Sequence, residues 1–183
     1  MTASAPPADK PPLEAATDTA AQNRAHPPNM KEWRMNLFAG LRGRGTDTTL
    51  DVHTAVLVPA VAAMLADGRV EEEELFQLRS ICVLSPIYER NSSLENELLI
   101  VRITRLIEDQ DLQSVCERAA TVLSPALRET AFSYAVKVIF SDGHVGRLER
   151  EAVGDMMSWL RIDPDRARMI IDVVSVMNHP ATA

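Results

Sequence analysis

Asp67-Gly68-Arg69-Val70-Glu71-Glu72-Glu73-Glu74 returns 75 residues later as Asp142-Gly143-His144-Val145-Gly146-Arg147-Leu148-Glu149. Both stretches read D-G-x-V-x-x-x-E, and the Asp, Gly, Val and final Glu all keep the same offset. An apolar, alanine-containing run precedes each Asp-Gly and a second helical pattern follows it, so each copy reads as a helix-loop-helix unit. Such a unit has an apolar face it cannot bury alone, and two copies can cover one another. The repeat therefore predicts an all-α fold, a single pseudo-symmetric helical domain of about seven or eight helices.

Working outward, Thr48 or Thr49 opens a helix running to Ala66, and Pro59 inside it predicts a kink or a late restart. The second arm spans about Glu71 to Leu84, with Leu75, Leu78, Ile81 and Cys82 as its inward stripe, and Ser85-Pro86 stops it. Ser92, with Glu95 three residues on, starts a helix through about Glu108, and another covers about Asp111 to Leu123. Ser124-Pro125 pairs a cap with a proline whose missing N–H costs nothing in a first turn, opening the helix that enters Asp142. The second outgoing helix runs from about Arg147 to Leu160, and Asp163-Pro164 repeats the cap-proline signal for a last helix through Met177. No strand pattern is present.

The termini differ in character. Residues 1–28 are rich in Ala, Pro, Thr and Asp with almost no large apolar side chains, the composition of a disordered tail. Residues 29–45 predict a short amphipathic helix followed by a Gly-rich linker. Met30, Trp33, Leu37, Phe38 and Leu41 share one face, and Lys31, Arg34, Arg42 and Arg44 make the stretch basic. Its apolar face could fold onto the core or lie on a membrane surface; four basic residues make a weak electrostatic anchor. The main domain is read as residues 46–178, with 179–183 as a tail.

Composition narrows the function. A chain of 183 residues with 46% hydrophobic content and net charge −7 is an ordinary globular composition with no basic surface for nucleic acid. Cys82 and Cys116 lack CxxC or Cys/His spacing and read as small core residues of a reducing compartment. The first residues show no charged-then-apolar leader, and the longest apolar run, Ala55 to Ala66, is far short of the roughly 20 residues that span a bilayer. A cytoplasmic protein with no transmembrane segment is expected.

The repeated loop has two physical readings. As turn chemistry, Gly68 and Gly143 supply a left-handed residue where a helix ends, Val70 and Val145 plug the core, and the glutamates favour the N-terminal turns that follow. As metal chemistry, Asp, Gly, the aliphatic residue and Glu match the fifth, sixth, eighth and twelfth places of the EF-hand calcium loop. The front half of that loop is missing: its first and third places fall on Ala63 and Leu65, and on Val138 and Phe140, none of which can ligate a hard cation. Two half-loops facing each other could still pool Asp67, Glu74, Asp142 and Glu149 around a divalent cation such as Ca or Mg, with waters completing the shell. His144 reads as loop decoration. No other cofactor is implied.

Taken with their flanks, Ala62-Ala63-Met64-Leu65-Ala66-Asp67-Gly68-Arg69-Val70 with Glu74, and Ile139-Phe140-Ser141-Asp142-Gly143-His144-Val145 with Glu149, resemble the TerB-like family of tellurite-resistance-associated proteins. The same module is found at the start of the co-chaperone DjlA. Ser158-Trp159-Leu160-Arg161-Ile162-Asp163-Pro164 is similar to the family's close of the second unit, so the resemblance covers about residues 46–178. It implies an all-helical domain with two related halves and no established catalytic activity. It also implies a role in metal or chemical stress with membrane-associated protein partners, peripheral to the inner membrane. By the residue match, the family's acidic, metal-associated feature falls on Asp67, Glu74, Asp142 and Glu149.

Three functions remain open at this point. The first is a non-enzymatic stress-response or signalling module that binds protein partners, gated by a cation. The second is a metal-dependent enzyme using the same carboxylates, against which stands the absence of HExxH, GxSxG, a phosphate-binding glycine loop or any Ser/Cys–His pairing. The third is a metal-free helical adaptor.

Overall fold

A computed structural model describes residues 50–68, 70–141 and 146–178, the side chain of Glu149 excepted. Every regular element among them is helical. The α-helices are α1 (Val52–Leu65), α2 (Glu72–Leu84), α3 (Ser93–Asp109), α4 (Leu112–Val122), α5 (Pro125–Ile139), α6 (Arg147–Trp159) and α7 (Pro164–Met177), with a 3-10 turn at Pro86–Tyr88. The amphipathic segment at 29–45, both tails, Asp142, Gly143, His144 and Val145 lie outside the described residues.

The expected helix starts are where the caps put them. Ser92 Oγ accepts the Glu95 N–H at 3.3 Å while Glu95 Oε2 accepts the Ser92 N–H at 2.7 Å, closing a capping box on α3. Asp111 caps α4 through the Ser114 N–H at 2.7 Å, Ser124 caps α5 through Leu127 at 3.3 Å, and Asp163 caps α7 through Asp165 at 3.0 Å. Each such cap is worth about 1 kcal/mol. The start of α1 differs from the sequence expectation. Asp51, not Thr48 or Thr49, is its N-cap, taking the Thr54 N–H at 2.7 Å. The helix then continues through Pro59 with no restart. Pro59 is itself buried, and packing on all sides offsets the hydrogen bond that its ring cannot donate.

That packing makes α1 the axis of the fold. Every residue from Thr54 to Met64 is buried, the pattern of a helix enclosed all round. Its neighbours are α2, α3, α4 and, most extensively, α5. The α2 stripe of Leu75, Leu78, Ile81 and Cys82 is buried as expected. On α3, Ile103 and Ile107 are buried but Leu98 is 38% exposed. Two polar ties complete the frame: Tyr88 Oη donates to the His53 carbonyl at 3.0 Å and Tyr134 Oη to Ser85 Oγ at 2.7 Å. No described helix is long and apolar enough to cross a membrane.

The 75-residue offset reaches beyond the motif. Helices α2 and α6 begin and end at positions 75 apart. The pairs Leu57 and Phe132, Val61 and Val136, and Met64 and Ile139 stand at the same offset, and all six residues are buried.

Candidate functional site

Each Asp-Gly turn begins with the same backbone hydrogen bonds. The Ala66 N–H donates to the Ala63 carbonyl at 3.2 Å, and its counterpart Ser141 donates to Val138 at 3.1 Å. At the outgoing side, Leu75 donates to Glu71 and Arg150 to Gly146, both at 3.2 Å. Between them Gly68 has φ +77°, the left-handed turn expected of it. A Cβ there would meet nothing within 4 Å, so backbone conformation and not crowding selects glycine. Val70 is half-buried and packs on the core, as the turn reading expects.

The first copy gives its final glutamate a structural task. Glu74 Oε2 accepts the Glu71 N–H at 3.1 Å, so its carboxylate closes the start of α2. The turn reading gave this Glu only a general preference for a helix start, and the hydrogen bond gives its particular position a reason. In the second copy Gly146 occupies the position of Glu71, and α6 begins without a side chain there.

Both units end on one open cavity of about 590 Å³. Ala63 and Ala66 of the first unit and Ile139 and Ser141 of the second lie on its walls, with α6 along one side. Its lining is apolar in part: Ile139 and Met156 are buried and Trp159 is half-buried. Its margin is acidic. Among the described residues, Asp67, Glu71, Glu74, Glu151 and Asp155 line it together with one cation, Arg147, which pairs with Glu151 at 3.6 Å.

Of the expected metal residues, Asp67 and Glu74 are thus placed on one cavity. Asp142 lies outside the described residues, as does the Glu149 side chain. Among the described residues no three Asp, Glu, His or Cys side chains are grouped as an ion would need. Sequence reasoning missed Glu151 and Asp155. The signal was present in Arg147, Glu151, Asp155 and Trp159, whose spacing of four places them along one face of α6.

The cysteines are not chemical candidates. Burial, reinforced by Glu97, pushes the Cys82 thiol up to about 11. Burial, with Asp111 and Glu117 adding to it, pushes Cys116 up to about 12. Both stay protonated and unreactive at neutral pH.

No family model, curated protein or solved structure matches this chain.

Proposed function

We propose that this chain is a non-enzymatic, TerB-like helical module that binds a protein partner in the cavity shared by its two Asp-Gly units. The observation that carries the reading is that the first turn and the residues flanking the second, Ser141 and Gly146, line one cavity with a partly apolar lining and an acidic margin. Apolar area with an exposed rim of one charge sign suits an amphipathic basic segment. A divalent cation, Ca or Mg, held by Asp67, Glu74, Asp142 and Glu149 is the proposed gate, and the link to tellurite or other chemical stress rests on the duplicated motif alone. The module acts in the cytoplasm or at the inner membrane's surface through such partners.

A second reading, a metal-free adaptor, draws support from the capping role of Glu74. Thermal unfolding separates the two. The chelated protein is melted with and without Ca, Mg, Mn or Zn, beside the Asp67→Asn/Asp142→Asn variant. A gate binding at 100 times its dissociation constant adds about 2.7 kcal/mol, or about 5–10 °C for a domain of this size. That rise should vanish in the double variant; no rise with any cation leaves the adaptor.

A further inference from the structure

The cavity is complemented in apolar character and charge by the sequence of a segment of the same chain. Leu148, on its wall, is 64% exposed, and Trp159, at the other end of α6, is half-buried, so apolar surface remains along that wall for a helix to cover. Glu71, Glu151 and Asp155 stand on the margin around it. Residues 29–41 supply the complement in sequence: Trp33, Leu37, Phe38 and Leu41 at helical spacing, flanked by Lys31 and Arg34 and followed by Arg42 and Arg44. In a chain of net charge −7 this is a basic stretch, and its sign is opposite to that of the cavity margin.

The connection is long enough. The described chain starts at Leu50, next to the N-cap of α1, whereas Ala63 and Ala66 reach the cavity at the far end of that helix. At about 1.5 Å per residue α1 is about 21 Å long. The eight residues from Arg42 to Thr49 can extend over about 26 Å. Gly43 and Gly45 within them impose little conformational restriction.

We infer that residues 29–41 dock in the cavity of their own chain as an amphipathic helix. Their Trp33, Leu37 and Phe38 face covers Leu148, Met156 and Trp159, and Lys31, Arg34 and Arg42 meet Glu71, Glu151 and Asp155. The segment occupies the site until an external partner displaces it. This inference rests on the reading of the cavity as a partner site and names what fills it when no partner is present.

Hydrogen exchange of the full chain tests it, without cation or partner, beside two variants. Leu148→Asp/Glu151→Lys/Asp155→Lys alters exposed cavity residues, and Trp33→Asp/Leu37→Asp alters the segment. Tethering at millimolar effective concentration should slow exchange of the 30–41 amides at least about tenfold. Both variants should abolish that protection while the α1 and α5 amides keep theirs, which certifies the fold. The inference is overturned if the 30–41 amides exchange unprotected in the native chain, or if their protection survives the cavity variant. It is equally overturned if protection grows with protein concentration alongside a dimer, which gives the site to a second copy. Protection that arises only with anionic phosphatidylserine vesicles assigns the segment to a membrane surface and overturns it too. Since the assay contains no cation or partner, its failure leaves the proposed function standing, and an absent cation effect leaves this inference standing.

Discussion

Helices α1 and α5 are the incoming arms of the two repeats, yet they occupy different surroundings. Along α1 every side chain from Thr54 to Met64 is buried. Along α5 only Ala131, Phe132, Ala135, Val136, Val138 and Ile139 are, and Ser133, the counterpart of Val58, is half-buried with its hydroxyl donating to the Glu129 carbonyl at 2.7 Å. Pro59 is buried, whereas its counterpart Tyr134 reaches out to Ser85. The repeat thus preserves the face on which the two helices meet and leaves the opposite face free to diverge. On α1 that second face is covered by α3 and α4, so it must be apolar as well.

The sharpest way to break the comparison is a charge at the paired positions. Val58→Asp should cost more than about 4 kcal/mol and prevent folding, because Val58 is fully buried and a carboxylate there would lose its hydration. Ser133→Asp should cost about 1–2 kcal/mol, its site being part-open to water. Urea midpoints measure both, and equal losses would refute the asymmetry.

Next in size are the turns. Gly68→Ala should lose about 1–2 kcal/mol through its left-handed conformation alone, and the sequence repeat predicts an equal loss at Gly143. Arg161, with φ 54° where α6 ends, is the opposite case: Arg161→Gly should gain up to about 1 kcal/mol. Chemical denaturation of the three variants checks these signs.

Glu74 offers a finer cut between cap and cation ligand. Glu74→Ala should lose about 1 kcal/mol by removing the acceptor for the Glu71 N–H. Glu74→Gln keeps an acceptor and should stay within about 0.5 kcal/mol of the native chain, yet it should lose any cation-induced rise in melting temperature.

The smallest effect is local and set by pH. Burial raises the Asp51 carboxyl, but the Thr54 N–H and nearby Arg102 more than offset that, and it lies below its ordinary 3.8. Its contribution is therefore fully present above that value and is lost as pH falls through the lower folded-state value. The Ser124 cap of α5 does not titrate. Acidification from pH 6 to 3 should lower the protection factors of the first-turn amides of α1, taken against intrinsic exchange at each pH, and leave those of the first turn of α5 unchanged.

Local rules made much of this fold legible. The capping boxes and cap-proline pairs placed the starts of α3, α5 and α7 correctly because those signals act within one turn of the chain. The start of α1 was misplaced because Thr48, Thr49 and Asp51 are all competent caps, and only the burial of Thr54 onward favours Asp51. At the site, Asp67 and Glu74 were found through repetition. Glu151 and Asp155 were not, since acids on an outgoing helix look like any solvated face until another helix end stands opposite them.

The sequence by itself determined the helical class, the duplicated turn with its left-handed Gly68, and most helix boundaries. Those properties depend on residues a few positions apart, whose preferences are expressed wherever the segment sits. Only the tertiary structure decided that α1 is enclosed on every side, that Glu74 closes the start of α2, and that both Asp-Gly units open onto one acidic-rimmed cavity. Those depend on which helix ends pack together, a choice made by the burial of apolar surface among residues up to about a hundred positions apart.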